Sequence, residues 1–331
     1  MTADPAERYW AAVSRNDTHE ARSVATSLLR EGVPMPTVLE GLVGAAQRRI
    51  GELWASNDWS VAREHAATAV SEQVVRSLRE EQARLAAADR SVGADRPLLV
   101  VCAEREWHAL PAMMLSATLE HAGHTVQYLG ADVSTTALQG ALLEAAPRAA
   151  LVSASLSSSL VYVRRHVEAA TSVAVPVVVG GSAFDRDGVR ALRLGATAFA
   201  ASAADLESTL AALPTYVEPV GPLRDDAALE AYAIMAELPS FSADAVARVR
   251  SDAAADAVAV EAIADQVPHV FGSVAGALLT GDSTIVAEIT EWLDGVGRAR
   301  AADTTTTQAV WSAVERQLGE FPHALDLVRS R

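Results

Sequence analysis

From Pro5 to about Ala88 apolar residues recur at spacings of three and four, in YWAAVSRND, ARSVATSLLREG, MPTVLEGLVGAAQRRIGELWA and SVAREHAATAVSEQVVRSLREEQARLAAA. That is the period of helices with one buried face. Breaks at Asn16–Asp17, Gly32–Pro36 and Ser56–Ser60 cut the run into four, which predicts a four-helix bundle over residues 1–90. Beyond the linker ADRSVGADRP the pattern changes. LLVVCA, TVQYLGA, AALVSAS, VPVVVGG and ATAFAA are short and nearly uniformly apolar, as strands buried on both faces are. Helical patterns between them start near His108, Thr135, Ser158, Arg186 and Ala203. The alternation predicts a doubly wound, Rossmann-like α/β domain with a parallel sheet over residues 97–213. The proline-rich PTYVEPVGPL, Pro214 to Leu223, reads as a second linker. Residues 224–331 then predict an all-α domain, with helices at 224–237, 242–265, 269–280, 283–300 and 304–319 and N-caps at Ser242, Asp282 and Asp303.

Charge narrows the chemistry. The 27 basic residues against 42 acidic ones give a net charge of −15, a surface that repels phosphate backbones, so no direct nucleic-acid partner is expected. Every basic residue is arginine, which excludes a lysine Schiff base. The single cysteine, Cys102, lies in the apolar LLVVCA, so neither a disulfide framework nor a thiolate metal cage can form, and strand packing is its expected role. The opening MTADPAERYW has no basic n-region or apolar h-region, and no apolar run reaches the roughly 18 residues of a membrane span. A cytoplasmic protein is expected.

The stretch AEREWHALP places Glu106 and His108 just past the first strand, at the carboxyl edge where parallel sheets bind ligands. The remaining histidines are scattered, so a metal held by several side chains does not fit. A metal carried in a macrocycle needs only one axial histidine, and Glu106 is a candidate to orient its ring. At this point the sequence resembles the cobalamin-binding domain, with an acidic residue, any residue and histidine, then a serine-bearing strand and a glycine pair. Glu106, His108, Ser153, Ser155, Gly180 and Gly181 stand in those places. Pro111 replaces the usual glycine, and SAS lacks the leucine common after the serine. The resemblance implies that His108 is the lower cobalt ligand in place of the cofactor's own base. It also implies that the nucleotide tail descends past Ser153, Ser155, Gly180 and Gly181.

Upstream, WASNDWSVAREH sets Trp54 before the pair Glu64–His65 with nine residues between them. This spacing resembles the cap of CarH-type cobalamin photoreceptors, with Trp59 a competitor for the aromatic role. The resemblance implies that Trp54 and Glu64 hold the adenosyl group of adenosylcobalamin in the dark, and that His65 ligates cobalt after light breaks the cobalt–carbon bond. The chain reads directly into the bundle, so the helix-turn-helix of CarH-type repressors is not expected. Instead, an all-α domain follows, as in photocobilins, whose globin-like domain binds a bilin such as biliverdin. That resemblance rests on position, size and helical content. His269, Trp292 and Trp311 are candidate contacts for a non-covalent bilin, with His323, Arg298 and Arg300 as further polar groups, and His269 is alternatively a haem ligand. The expectation is a non-enzymatic sensor binding small-molecule chromophores, a homo-oligomer that signals to a separate protein partner. The alternatives are a corrinoid methyl carrier serving a methyltransferase and, for the last domain, an interaction module without chromophore.

Overall fold

The computed structural model describes residues 4–86, 96–252, 257–300 and 304–331. The chain divides into two compact units, one of Met1–Val100 with His108–Gly130 and the other of Val101–Trp107 with Ala131–Arg331.

The first unit opens with α1 (Pro5–Ser14), capped by the Asp4 side chain, and α2 (Thr18–Arg30), capped by Asp17. Next comes α3 (Met35–Val38), which widens into a π-helical turn, Leu39–Gly44, and continues as α4 (Ala45–Ala55). Helix α5 (Val61–Ala86) completes the four predicted helical stretches. Tyr9, Val13, Val24, Met35, Leu39, Ile50, Val74 and Leu78 form one core. The first α/β helix, α6 (Ala109–His121), joins it through Leu110, Met113 and Ala117. Arg79 of α5 grips Glu120 of α6 with two hydrogen bonds, of 2.8 and 2.6 Å. Most of the linker expected at Ala88–Pro97 lies outside the described residues.

Five strands form the sheet: β1 (Leu98–Cys102), β2 (Val126–Gly130), β3 (Ala149–Ser153), β4 (Val177–Gly180) and β5 (Ala198–Phe199), in the order β2-β1-β3-β4-β5. The order reverses between β1 and β3, the switch point at which such sheets bind ligands. β1 and β3 are buried at every residue. The expectation of two buried faces fails for β2 and β5, which are half-buried, because each is an edge strand with a neighbour on one side only. β3 and β4 run parallel in the register Ala150–Val177 to Ser153–Gly180. Cys102 is fully buried in β1, as its apolar setting implies.

The connecting helices are α7 (Thr135–Ala145), α8 (Leu160–Thr171), α9 (Val189–Arg193) and α10 (Ala203–Ala212). The later helices are α11 (Asp226–Ala236), α12 (Leu238–Asp252), α13 (Ala257–Ala264), α14 (Val267–Thr280), α15 (Thr284–Ala299), α16 (Thr304–Gln317) and α17 (Pro322–Arg329). Ser242 is not an N-cap: α12 already begins at Leu238, because the apolar Leu238 and the aromatic Phe241 carry the periodic face further back. The cap expected at Asp303 lies outside the described residues. Helix α17 escaped the sequence pattern. Apolar VPHVFGSVAGALLT makes α14 the central helix, buried on nearly every side, as a helix without a polar face must be.

One buried histidine sets an acid sensitivity. His166 of α8 is completely buried, and its Nε2–H donates to the Val133 carbonyl at 2.9 Å. Burial lowers its pKa from 6.5 to about 4, against the smaller upward pull of that hydrogen bond and of Glu104. The unfolded chain therefore takes up the proton first as pH falls below 6.5, so stability erodes between pH 6.5 and about 4. The loss amounts to about 3 kcal/mol at about 1.36 kcal/mol per unit. Urea unfolding at pH 7 and pH 4.5 should show His166→Leu losing this part of the acid sensitivity. An unchanged difference between the two pH values would mean that His166 is protonated or exposed.

Candidate functional site

In the second unit, the loop after β1 is tied down by three carboxylates. Glu106 is 0% exposed, and its Oε2 accepts the backbone N–H groups of Ser155 (2.6 Å) and Leu156 (3.1 Å) just beyond β3. Asp132, after β2, accepts the Arg105 N–H at 2.7 Å and returns its own N–H to the Glu106 carbonyl at 2.9 Å. Glu104 accepts the N–H of Thr135 at 3.2 Å, at the start of α7. Arg105 takes a left-handed φ of 61° to make the turn. Glu104 and Asp132 were not singled out from the sequence; the only signal was a short acidic residue after each strand. Glu106 was expected to orient His108; the structure shows its carboxylate anchoring the backbone just beyond β3.

The serine and glycine positions meet at the ends of β3 and β4. Ser153 pairs with Gly180 in register, and the Ala154 N–H donates to the Gly180 carbonyl at 3.0 Å. Gly181 has φ +112°, and a Cβ there would overlap the Ala154 carbonyl. A side chain is thus excluded for two independent reasons. Ser182 Oγ donates to the Ser155 carbonyl at 2.9 Å, closing the two loops on each other.

In the first unit His108 is exposed at the N-cap position of α6, where its side chain makes no capping bond. Pro111 falls in the first turn of that helix, where a missing N–H costs no intrahelical bond. The motif glycine is therefore dispensable for helix formation at this point. Trp107, next in sequence, is 72% exposed.

The turn between α4 and α5 is closed by the Trp59 N–H on the Leu53 carbonyl at 2.9 Å. Trp59 is buried and stacks on Trp10 at 5.6 Å and 16°, with Arg49 over the outer face of Trp10 and Arg63 over Trp59. Trp59 is thus committed to that stack, whereas Trp54 is half-buried at the end of α4. One turn into α5, Glu64 accepts the Thr68 hydroxyl at 2.9 Å on one oxygen and is hydrogen-bonded through the other to His65 Nδ1. Thr68 in turn meets Gln47 of α4 at 3.2 Å. Counting one helical turn from each partner puts Gly51 level with Glu64, and a Cβ at Gly51 would meet nothing within 4 Å. Gly51 is thus an exposed position of α4 with open space beside its backbone, a lone glycine inside a periodic helix that sequence reading passed over.

The C-terminal candidates are dispersed. His269 of α14 is half-buried and hydrogen-bonded through Nδ1 to Ser158 Oγ at 3.0 Å. Beside it, Ser273 meets Ser157 at 2.8 Å. Gly272 and Gly276 let α14 lie directly on this segment, since a Cβ would come within 2.7 Å of the Ser158 Cβ or 2.8 Å of the Ser157 carbonyl. His323 is ion-paired with Glu230, which raises its pKa. Trp292 is half-buried on α15. Trp311 is buried on α16 under the Arg331 guanidinium, and its indole N–H has no acceptor among the described protein groups. Arg298 Nε is turned back onto the Asp294 carbonyl, and burial lowers the pKa of Arg300.

In the first unit an exposed histidine stands at the N-cap of α6, and in the second the small residues Ser153, Ser155, Gly180 and Gly181 lie at or just past the ends of β3 and β4. Residues 96–213 match the family model of the B12 binding domain, and residues 5–79 match a second model, also a B12 binding domain. The chain carries B12-binding domains and is a cobalamin-binding protein. Among solved structures it is similar to the Methanosarcina barkeri monomethylamine corrinoid protein, at 15% identity and TM-score 0.50, over 63% of this chain and 98% of that one. A cobalamin-binding protein from Desulfitobacterium hafniense DCB-2 matches at 19% identity and TM-score 0.35, over 62% of this chain and 96% of that one. The methanol:cobalamin methyltransferase complex of Methanosarcina barkeri matches at 14% identity and TM-score 0.33, over 64% and 82%. No match is found among curated proteins. No helix among the described residues is long and apolar enough to cross a membrane, and none of their His, Cys, Asp and Glu side chains cluster as a metal site of three or more.

Proposed function

We propose that the chain is a light sensor that binds adenosylcobalamin base-off, with His108 as lower ligand and His65 as the residue that takes the upper position after illumination. The observation that carries the reading is the Glu64–His65 pair on the first turns of α5, whose imidazole is 74% exposed and held through one nitrogen by the neighbouring carboxylate. When bound, the cofactor supplies a photolabile cobalt–carbon bond. Trp54 and Glu64 hold the adenosyl group, and a glycine at position 51 places no side chain on that part of α4. Ser153, Ser155, Gly180 and Gly181 accept the nucleotide tail, their small side chains permitting close backbone approach. A neutral imidazole is a competent metal donor. Exchange of an upper ligand for His65 is a switch rather than a turnover, and the output is a rearrangement passed to an oligomeric or separate protein partner.

The C-terminal helices are proposed as a globin-like, non-covalent biliverdin site. The orphaned N–H of Trp311 supports a ligand there, since a buried donor of this kind is rarely left unpaired. Cys102, buried in β1, supplies no thioether. Reconstitution with biliverdin should bring red absorbance, reduced in Trp311→Phe; absence of red absorbance would leave these helices as an interaction module.

Protein loaded with adenosylcobalamin is expected to change its visible spectrum under green light. His65→Ala should alter the illuminated spectrum while leaving dark binding intact, and an identical illuminated spectrum would remove His65 from the switch. Recovery of methylcobalamin as the native cofactor would support a methyl carrier instead.

A further inference from the structure

We infer that Tyr9, Ser71, Gln47 and Thr68 form a one-way hydrogen-bond chain that positions Glu64 and thereby fixes which nitrogen of His65 faces outward; the inference rests on the roles given to Glu64 and His65 above.

The groups lie in a row from core to surface. Tyr9 Oη and Ser71 Oγ are 3.3 Å apart, Ser71 Oγ and the Gln47 amide 3.1 Å, the amide and Thr68 Oγ1 3.2 Å, and Thr68 Oγ1 and Glu64 Oε1 2.9 Å. Glu64, Thr68 and Ser71 share a face of α5 by their spacing of four and three. Tyr9 and Ser71 are fully buried, and burial pushes the Tyr9 phenol up to about 12, so it remains a protonated donor.

Direction follows from proton counting. An ionised carboxylate only accepts, so the single Thr68 hydroxyl proton goes to Glu64. Thr68 Oγ1 must then accept, which requires the amide NH₂ of Gln47 to face it. The structure sets the amide oxygen toward Thr68 and the NH₂ toward Ser71, and a half-turn of the amide reverses this while exchanging only O and N. The amide oxygen then faces Ser71, whose proton it accepts, and Ser71 accepts from Tyr9. Every donor in the row points toward Glu64. With Oε1 held by Thr68, Oε2 is held against His65 Nδ1. That nitrogen must carry the proton, which leaves the lone pair on Nε2. Gln47, Thr68, Ser71 and Tyr9 are positioning residues, since none of them is given contact with the cofactor.

The test uses the full chain without cofactor, with ¹⁵N-labelled histidine rings, at a pH where imidazole is neutral. The wild type should show His65 as the Nδ1–H tautomer. Thr68→Val should shift His65 toward the Nε2–H form that free imidazole prefers, and Thr68→Ser, which keeps the hydroxyl, should restore the wild-type pattern. Gln47→Met breaks the row at a second, half-buried point and should act in the same direction should Thr68→Val fail to fold. A wild-type Nε2–H pattern, or a Thr68→Val pattern identical to wild type, overturns the inference. Cobalamin-loaded protein that ignores light while His65 stays Nδ1–H removes the photoreceptor reading and leaves the chain standing.

Discussion

Gly181→Val is expected to prevent stable folding of the second unit, or to shift its urea midpoint by the equivalent of about 3–5 kcal/mol. Two costs combine. A φ of +112° lies where β-branched residues essentially do not occur, and the new Cβ meets the Ala154 carbonyl, which already accepts the Ala183 N–H at 3.2 Å. That carbonyl belongs to the strand-end network, with the Ala154 N–H on Gly180, so it cannot retreat without losing hydrogen bonds. Gly123→Ala provides the control. Gly123 has φ +94° and open space where a Cβ would fall, so it reports the torsional cost alone, about 1–3 kcal/mol. If Gly181→Val cost no more than this control, the β3 and β4 loops would be yielding, and the tight passage assigned to the nucleotide tail would have to be abandoned.

Arg190→Met is expected to cost about 2–4 kcal/mol in the second unit, a range reduced for the exposure of one partner. The Arg190 residue is only 3% exposed. It bonds Asp282 at 2.7 Å, Glu288 at 2.6 and 3.1 Å, Thr284 at 3.1 Å and the Ala183 carbonyl at 3.2 Å. Burial favours the neutral guanidine, but the two carboxylates outweigh it and raise the pKa. Burial also pushes the Asp282 carboxyl up, while hydrogen bonds from Thr284 and Arg190 hold it below its ordinary value. Its contribution is therefore present above the unfolded carboxylate pKa and is lost as pH falls through the lower folded one. Glu288 is 57% exposed and regains water when the arginine goes, whereas Asp282 is 25% exposed and the Ala183 carbonyl loses a donor. Arg190→Lys keeps charge without the planar fork and should fall between. Wild-type urea stability in Arg190→Met would show that helices α14 and α15 are held by apolar packing alone.

Local pattern carried far in this chain. The four N-terminal helical stretches, five strands and most later helices follow from periodicity and from Gly, Pro and Asn breaks, because each is decided within some ten residues. The same holds for His108 and the paired glycines, whose surroundings are the strand ends next to them. Contacts between distant segments were not legible. Nothing in AEREWH says that Glu106 binds the N–H groups of Ser155 and Leu156, nearly fifty residues on. Likewise, His269 looks like a ligand when read alone, and its bond to Ser158 depends on the close approach of α14. The π-helical turn at Leu39–Gly44 also has no signature in a pattern read at 3.6 residues per turn. The Gln47–Thr68–Ser71 row joins residues that each read as ordinary polar positions on a helix face.

The seat for α14 has a consequence for biosynthesis. Ser157, Ser158 and Leu160 leave the ribosome roughly a hundred residues before Gly272 and Gly276, about 5–20 s earlier at about 5–20 residues per second. In the later part of that interval, once Phe199 has emerged, the strands of the sheet are complete while the seat beside the β3 loop stands uncovered. The nascent chain thus presents Ser157, Ser158 and Leu160 uncovered until α14 is made, and slower translation lengthens that exposure.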